Sequence, residues 1–131
     1  MKDSCVLDAS AILALVLAEP GESVVREHGE NGLVSAVNYS ETLAKLFERG
    51  VEHSKARSLL DLLDLKLVAF DQPQAEVAAR LRSETRTHGL SFADRACLAL
   101  ADSRGLKVLT ADRQWASLKL DLEVVLIRPR P

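Results

Sequence analysis

Cys5-Val6-Leu7-Asp8-Ala9-Ser10-Ala11-Ile12-Leu13 is the stretch whose reading decides the fold. Residues Ser4 to Asp8 form a short apolar run that ends on an acid. The helical stretch Ala9 to Ala18 follows at once and is stopped by Glu19-Pro20-Gly21. A strand this short and this continuously apolar belongs in a sheet covered on both faces. A helix that follows it directly starts a parallel crossover.

The same alternation repeats outward from this opening, with no internal repeat and no low-complexity linker. A helix over Glu22 to Glu30 ends at Asn31-Gly32. Leu33 to Ala36 reads as a strand, and Asn38 to Arg49 as a helix closed by Gly50. Glu52 to Leu63 places Ala56, Leu59, Leu60 and Leu63 at helical spacing. Lys66 to Phe70 is a third strand, and Asp71-Gln72-Pro73 opens a long helix to Thr87, broken at His88-Gly89. Ser91 to Ser103 is an Ala- and Leu-rich helix. Gly105 precedes the strand Leu106 to Thr110, a short helix covers Arg113 to Ser117, and Glu123 to Ile127 is the last strand before an Arg-Pro-Arg-Pro tail. The predicted fold is a three-layer α/β/α domain on a five-stranded parallel sheet, filling residues 1–131 as one unit.

In open sheets of this kind, sites form beyond the carboxyl ends of the strands. Four acids fall at such junctions: Asp8 and Asp112 after strands, Glu41 and Asp94 in early turns of helices that leave the same edge. Four carboxylates gathered there repel one another unless cations neutralise them, which points to a divalent-metal site. Each acid also has a structural reading. Asp8 and Asp112 could cap helices, Asp94 completes a capping box with Ser91, and Glu41 stands four residues before Lys45 in the orientation that favours a surface ion pair.

Composition narrows the function further. A chain of 131 residues, 47% hydrophobic and 27% charged, is globular, and its 4% aromatics leave the core to aliphatic residues. No apolar run reaches membrane-spanning length and none has the basic start of a secretory signal, so a cytoplasmic protein with no membrane role is expected. Cys5 and Cys97 read as buried thiols, and His28, His53 and His88 lack zinc-ligand spacing to either cysteine. The net charge of −2 opposes a broad nucleic-acid-binding surface. The distribution is uneven, however. Residues 1–70 carry 11 acids and 7 bases, residues 71–131 carry 8 and 10, and Arg95, Arg104, Lys107, Arg113, Lys119, Arg128 and Arg130 fall in the last third.

The segments Val6 to Leu15, Ser35-Ala36-Val37-Asn38-Tyr39-Ser40-Glu41, Leu90-Ser91-Phe92-Ala93-Asp94 and Leu109-Thr110-Ala111-Asp112-Arg113 resemble, in order and context, the PIN domain nucleases. The likeness is strongest to the VapC toxins of bacterial toxin–antitoxin pairs and covers nearly the whole chain. The resemblance implies the five-stranded sheet predicted above. It places the family's acids on Asp8, Glu41, Asp94 and Asp112, and supporting hydroxyls on Ser10 and Thr110. Arg95 departs from the pattern, standing where a small residue is commoner.

The implied activity is a Mg²⁺- or Mn²⁺-dependent endoribonuclease. Asp8 and Asp94 would be the principal ligands, Asp112 would complete their site, and Glu41 would bind a second ion or position water. Arg95 and Arg113, each next to an acid, are the candidates for RNA-phosphate contacts. The implied partners are an RNA substrate, a VapB-like antitoxin that covers the acids, and a second copy of the chain docked through helical faces such as Glu52 to Leu63. Two other classes compete. One is a weakly catalytic or non-catalytic binding module whose acidic pocket a protein partner fills. The other is a phosphoacceptor domain, opposed by the missing second acid in Asp8-Ala9-Ser10 and by the Gln-Pro that follows Asp71.

Overall fold

A computed structural model of the chain describes residues 4–29 and 31–128. Glu30, Arg130 and the prolines of the tail lie outside the described residues. Five strands, β1 (Cys5–Leu7), β2 (Leu33–Ser35), β3 (Lys66–Val68), β4 (Lys107–Thr110) and β5 (Val124–Leu126), form one parallel sheet in the order β3-β2-β1-β4-β5. The three-layer α/β/α fold read from the sequence is the one observed.

The period-two pleat divides the core. Cys5, Leu7, Val34 and Leu109 face one side of the sheet, where they meet α1 (Ala9–Val16), α2 (Glu22–His28), α3 (Ala36–Glu48) and α4 (His53–Asp61) through Ile12, Val25, Leu46 and Leu60. Val6, Leu33 and Val108 face the other side. There they meet α5 (Gln72–Glu84), α6 (Phe92–Arg104) and Trp115, which sits in a 3₁₀ helix (Arg113–Ser117). Helices before β3 therefore cover one face and those after it the other, as a doubly wound sheet requires. The strand order reverses between β1 and β4, and their carboxyl ends open the crevice where such folds bind ligands.

Several boundaries differ from the sequence reading for local reasons. α1 stops at Val16, and Ala18, which the sequence placed inside it, has a left-handed φ of 52°. α3 starts at Ala36 because Ser35 ends β2 and caps α3 at once, its hydroxyl accepting the Val37 N–H. α5 ends at Glu84, and a separate 3₁₀ turn (Arg86–His88) leads to Gly89, whose φ of 62° suits glycine. Both cysteines are free and buried, as expected. Among the described residues no helix is long and apolar enough to cross a membrane.

Candidate active site

Asp8 follows the last residue of β1 and occupies the N-cap position of α1, yet its carboxylate makes no capping bond. Its Oδ2 instead accepts two hydroxyls, Ser10 Oγ at 2.7 Å and Thr110 Oγ1 at 2.9 Å. The backbone holds both donors in turn. The Ala111 N–H donates to Ser10 Oγ at 2.9 Å and the Asp112 N–H to Thr110 Oγ1 at 3.1 Å. The Asp8 N–H itself reaches the Leu109 carbonyl. The ends of β1 and β4 are thus knotted around one carboxylate that is only 6% exposed.

Burial raises the Asp8 pKa from the usual 3.8 to about 6. The two hydroxyls oppose that rise, and the negative charges of Asp94 and Glu41 add to it. The Cys97 thiol, buried in α6, is pushed well above its ordinary range by burial and then by Asp8, Asp94 and Glu41 together. Asp8 thus feels two acids and Cys97 feels those two and Asp8 itself, which puts Asp8, Glu41 and Asp94 in one electrostatic neighbourhood.

The sequence did not single out the residue that links two of them. Asn38, fully buried on α3, donates from Nδ2 to the Ala93 carbonyl at 2.9 Å and lies 3.4 Å from Glu41 Oε1. It ties the second acid to the first turn of α6, one residue before Asp94. Its Oδ1 is buried without a partner. The available signal was an Asn three residues before an acid and, at helical spacing, in line with Thr42 and Leu46 on the buried face of α3.

The remaining side chains stand as follows. Asp94 completes its capping box, donating Asp94 N–H to Ser91 Oγ and accepting Ser91 N–H on Oδ2, each near 3 Å. Glu41 also approaches Lys45, at 3.9 Å. Asp112 caps the 3₁₀ helix by accepting the Gln114 N–H at 3.0 Å, and its backbone N–H links it to Asp8 through Thr110. Arg95 turns from the acids toward α5: its Nη1 donates to the Ala78 carbonyl at 2.9 Å and its guanidinium lies over the Phe92 ring. Arg113 is exposed at the start of the 3₁₀ helix.

The donor set is hard carboxylate oxygen, the kind that divalent magnesium or manganese selects, and the mutual repulsion written into Asp8 is what a cation relieves. As posed, the acids are not a finished cage. Among the described residues no three His, Cys, Asp or Glu side chains are grouped to hold a metal ion. Asp94 spends an oxygen on its own cap and Glu41 leans toward Asn38 and Lys45, so the electrostatic cluster is wider than a coordination sphere.

Comparison with solved structures gives the same fold repeatedly. The toxin–antitoxin complex from Klebsiella pneumoniae superposes with a TM-score of 0.76 at 18% identity, over 96% of this chain and 99% of that one. DNA-bound VapBC from Salmonella typhimurium gives 0.75 at 17%, over 97% and 99%. A member of the VapBC family of toxin–antitoxin systems, VapBC-5 from Mycobacterium tuberculosis, gives 0.63 at 25%, over 96% and 98%. No curated protein sequence matches the chain. The model of the PIN domain matches residues 5–120, which contain the whole sheet except β5 and all four acids, and the chain belongs to the PIN domain family.

Proposed function

We propose that this protein is a metal-dependent endoribonuclease that serves as the toxin of a VapBC-type toxin–antitoxin pair. The observation that carries the reading is Asp8. This buried carboxylate caps nothing, is fixed by two hydroxyls, and is strained first by burial and then by two further acids. Asp8 and Asp94 would hold Mg²⁺ or Mn²⁺, with Asp112 completing the site through water. Glu41 would hold a second ion or orient the attacking water. Such an ion, when bound, supplies a low-pKa water and neutralises charge that builds on phosphate oxygens.

The chain's own residues do the positioning. Ser10 and Thr110 lock Asp8 Oδ2, and neither of their bonds falls on Oδ1. Asn38 keeps Glu41 at the head of α6. Water attacking phosphorus in line with the departing 3′ oxygen would leave 5′-phosphate and 3′-hydroxyl ends, with no need of the ribose 2′-OH.

The membership in the PIN family and the likeness to VapBC complexes support an antitoxin partner and a homodimer in the same reading. The wide spacing of the acids also favours a second, compatible state in which a partner's basic side chain fills the pocket and silences it. The test is RNA cleavage by purified Asp8→Asn and Asp94→Asn with Mg²⁺ present. Activity is expected to vanish in both. Undiminished cleavage by either folded variant ends the assignment. A 1:1 complex with the product of the adjacent open reading frame is expected, and its absence removes the toxin role.

A further inference from the structure

Beyond the acids, a hollow of about 660 Å³ opens where α5, the 3₁₀ turn and α6 meet. Arg82, Arg86 and Arg95 all line it, together with Phe92, and no acid does. In a chain with a net charge of −2 this is an unusual concentration of positive charge. Most other cations near an acid are occupied: Arg26 by Glu22, Arg49 and Arg128 by Glu19, Arg80 by Glu84 and Asp102. Among the described residues, Arg82 and Arg86 make no ion pair. Arg95 is anchored at the wall by the Ala78 carbonyl, and its Nε is buried without a partner.

Phe92 gives the hollow a second character. It is one of three large apolar side chains left exposed among the described residues, at 50%, although it opens the first turn of the most buried helix. Phe70 meets its ring edge-on at 5.5 Å and 85°, and the Arg95 guanidinium stands 5.7 Å from its centroid. The ring is braced, and much of it still faces solvent. A braced aromatic beside unpaired guanidinium groups is what single-stranded nucleic acid uses, the ring for a base and the cations for its phosphates. An acidic peptide would use the arginines but gain little from a flat ring.

Position makes the case specific. Phe92, Asp94 and Arg95 share the first turn of α6, with Phe92 and Arg95 on one side and Asp94 on the other. We infer that the hollow of Arg82, Arg86 and Phe92 is the subsite that grips the single-stranded RNA flank next to the cleaved bond, the strand crossing the head of α6 from the acids. This deepens the nuclease reading and rests on it. It also revises the part given to Arg95, which braces the stacking ring from the wall of the subsite.

The test uses the full-length protein and a fluorescent mixed-sequence oligoribonucleotide of about 12 nucleotides, without divalent ions so that it stays intact. Affinity is read by anisotropy across a salt series. Arg82→Ala/Arg86→Ala is expected to weaken binding about tenfold or more and to flatten the salt dependence by about 1.4 in log–log slope, two phosphate contacts' worth. Phe92→Ala is expected to weaken it about fivefold to a hundredfold with the slope unchanged, and Phe92→Tyr to restore it. Thermal stabilisation by Mg²⁺, which reads the acids alone, should be the same in all of them. If the wild type neither binds nor cuts RNA, the nuclease reading itself fails. If it does both and these variants match it, the subsite is wrong. Unchanged RNA affinity together with loss of binding to an oligoglutamate probe would make the hollow a protein-docking surface and overturn the proposal.

Discussion

Removing the charge of Asp8 should stabilise the protein while abolishing its activity. Ionised Asp8 sits in a site that moves its pKa from 3.8 to about 6. At ~1.4 kcal/mol per pH unit, the folded state above pH 6 carries a cost of about 3 kcal/mol that the unfolded chain does not. Asp8→Asn deletes that cost. Its side-chain carbonyl keeps an acceptor for Ser10 and Thr110, and its amide adds a donor that, left unpaired, costs about 1 kcal/mol. The net gain is about 2 kcal/mol, or roughly 8 °C in Tm for a domain of this size. The pH dependence follows from linkage. Between about pH 4 and pH 6 the folded state holds a proton that the unfolded state has released, so wild-type stability falls as pH rises through that window. The variant's advantage should be absent near pH 4, grow up to pH 6, and level off above it. Urea titrations at pH 4, 5, 6 and 7.5 measure it, and Mg²⁺ should narrow the gap by raising the wild type alone. A variant less stable than wild type at pH 7.5, or a difference that ignores pH, refutes the account of this carboxylate.

Three further outcomes are expected. Thr110→Val removes one of the two hydroxyls that hold the Asp8 pKa down, so the acid limb of the cleavage profile should move to higher pH; a pH–rate series that superposes on the wild type contradicts the role of that bond. Asn38→Ala leaves the Ala93 carbonyl without its donor and frees Glu41, which should cost about 1–3 kcal/mol in urea unfolding and lower kcat more than it raises KM. Trp115→Ala empties a fully buried site between the 3₁₀ helix and the sheet, and a loss of about 3–5 kcal/mol should appear as a lower urea midpoint.

The order of elements was legible because each junction carries its own chemistry. Gly50 and Gly105 close α3 and α6, Pro20-Gly21 and His88-Gly89 fall a few residues past the ends of α1 and α5, and the short runs between helices read as strands, although Lys66 and Leu67 of β3 are exposed. The end of α1 was misjudged because Leu17 and Ala18 continue an apolar run in composition while the backbone turns left-handed, which periodicity does not register. At the site, the four acids were visible as residues at junctions, and three of them do share one field. Asn38 was not visible, because its value lies in a carbonyl 55 positions away on another helix. The anchoring of Arg95 on α5 was not visible for a related reason. Adjacency to Asp94 in sequence suggested a shared direction, but a helix turns about 100° per residue, and α5 supplies a carbonyl that the sequence gives no means of placing.

The unequal mobility of the carboxylates explains how one pocket can be both costly and usable. Asp8 is held on Oδ2 by two hydroxyls, and both hydroxyls are held by backbone amides of the segment after β4, so moving it means breaking two bonds whose donors are themselves fixed. Asp94 and Glu41 are held more lightly. One accepts a single exposed amide and the other has a long contact to Asn38 and a partly exposed pairing with Lys45, which leaves both carboxylates freer to turn than Asp8. The cost of about 3 kcal/mol, set first by burial and then by the charges of Asp94 and Glu41, stays on the one carboxylate that cannot turn away. In the proposed role, a divalent ion or a partner's guanidinium that reached Asp8 would offset part of that cost, opposed by those lighter restraints. The two occupants would then compete for the same relief, and linkage would require that each weaken the other's binding.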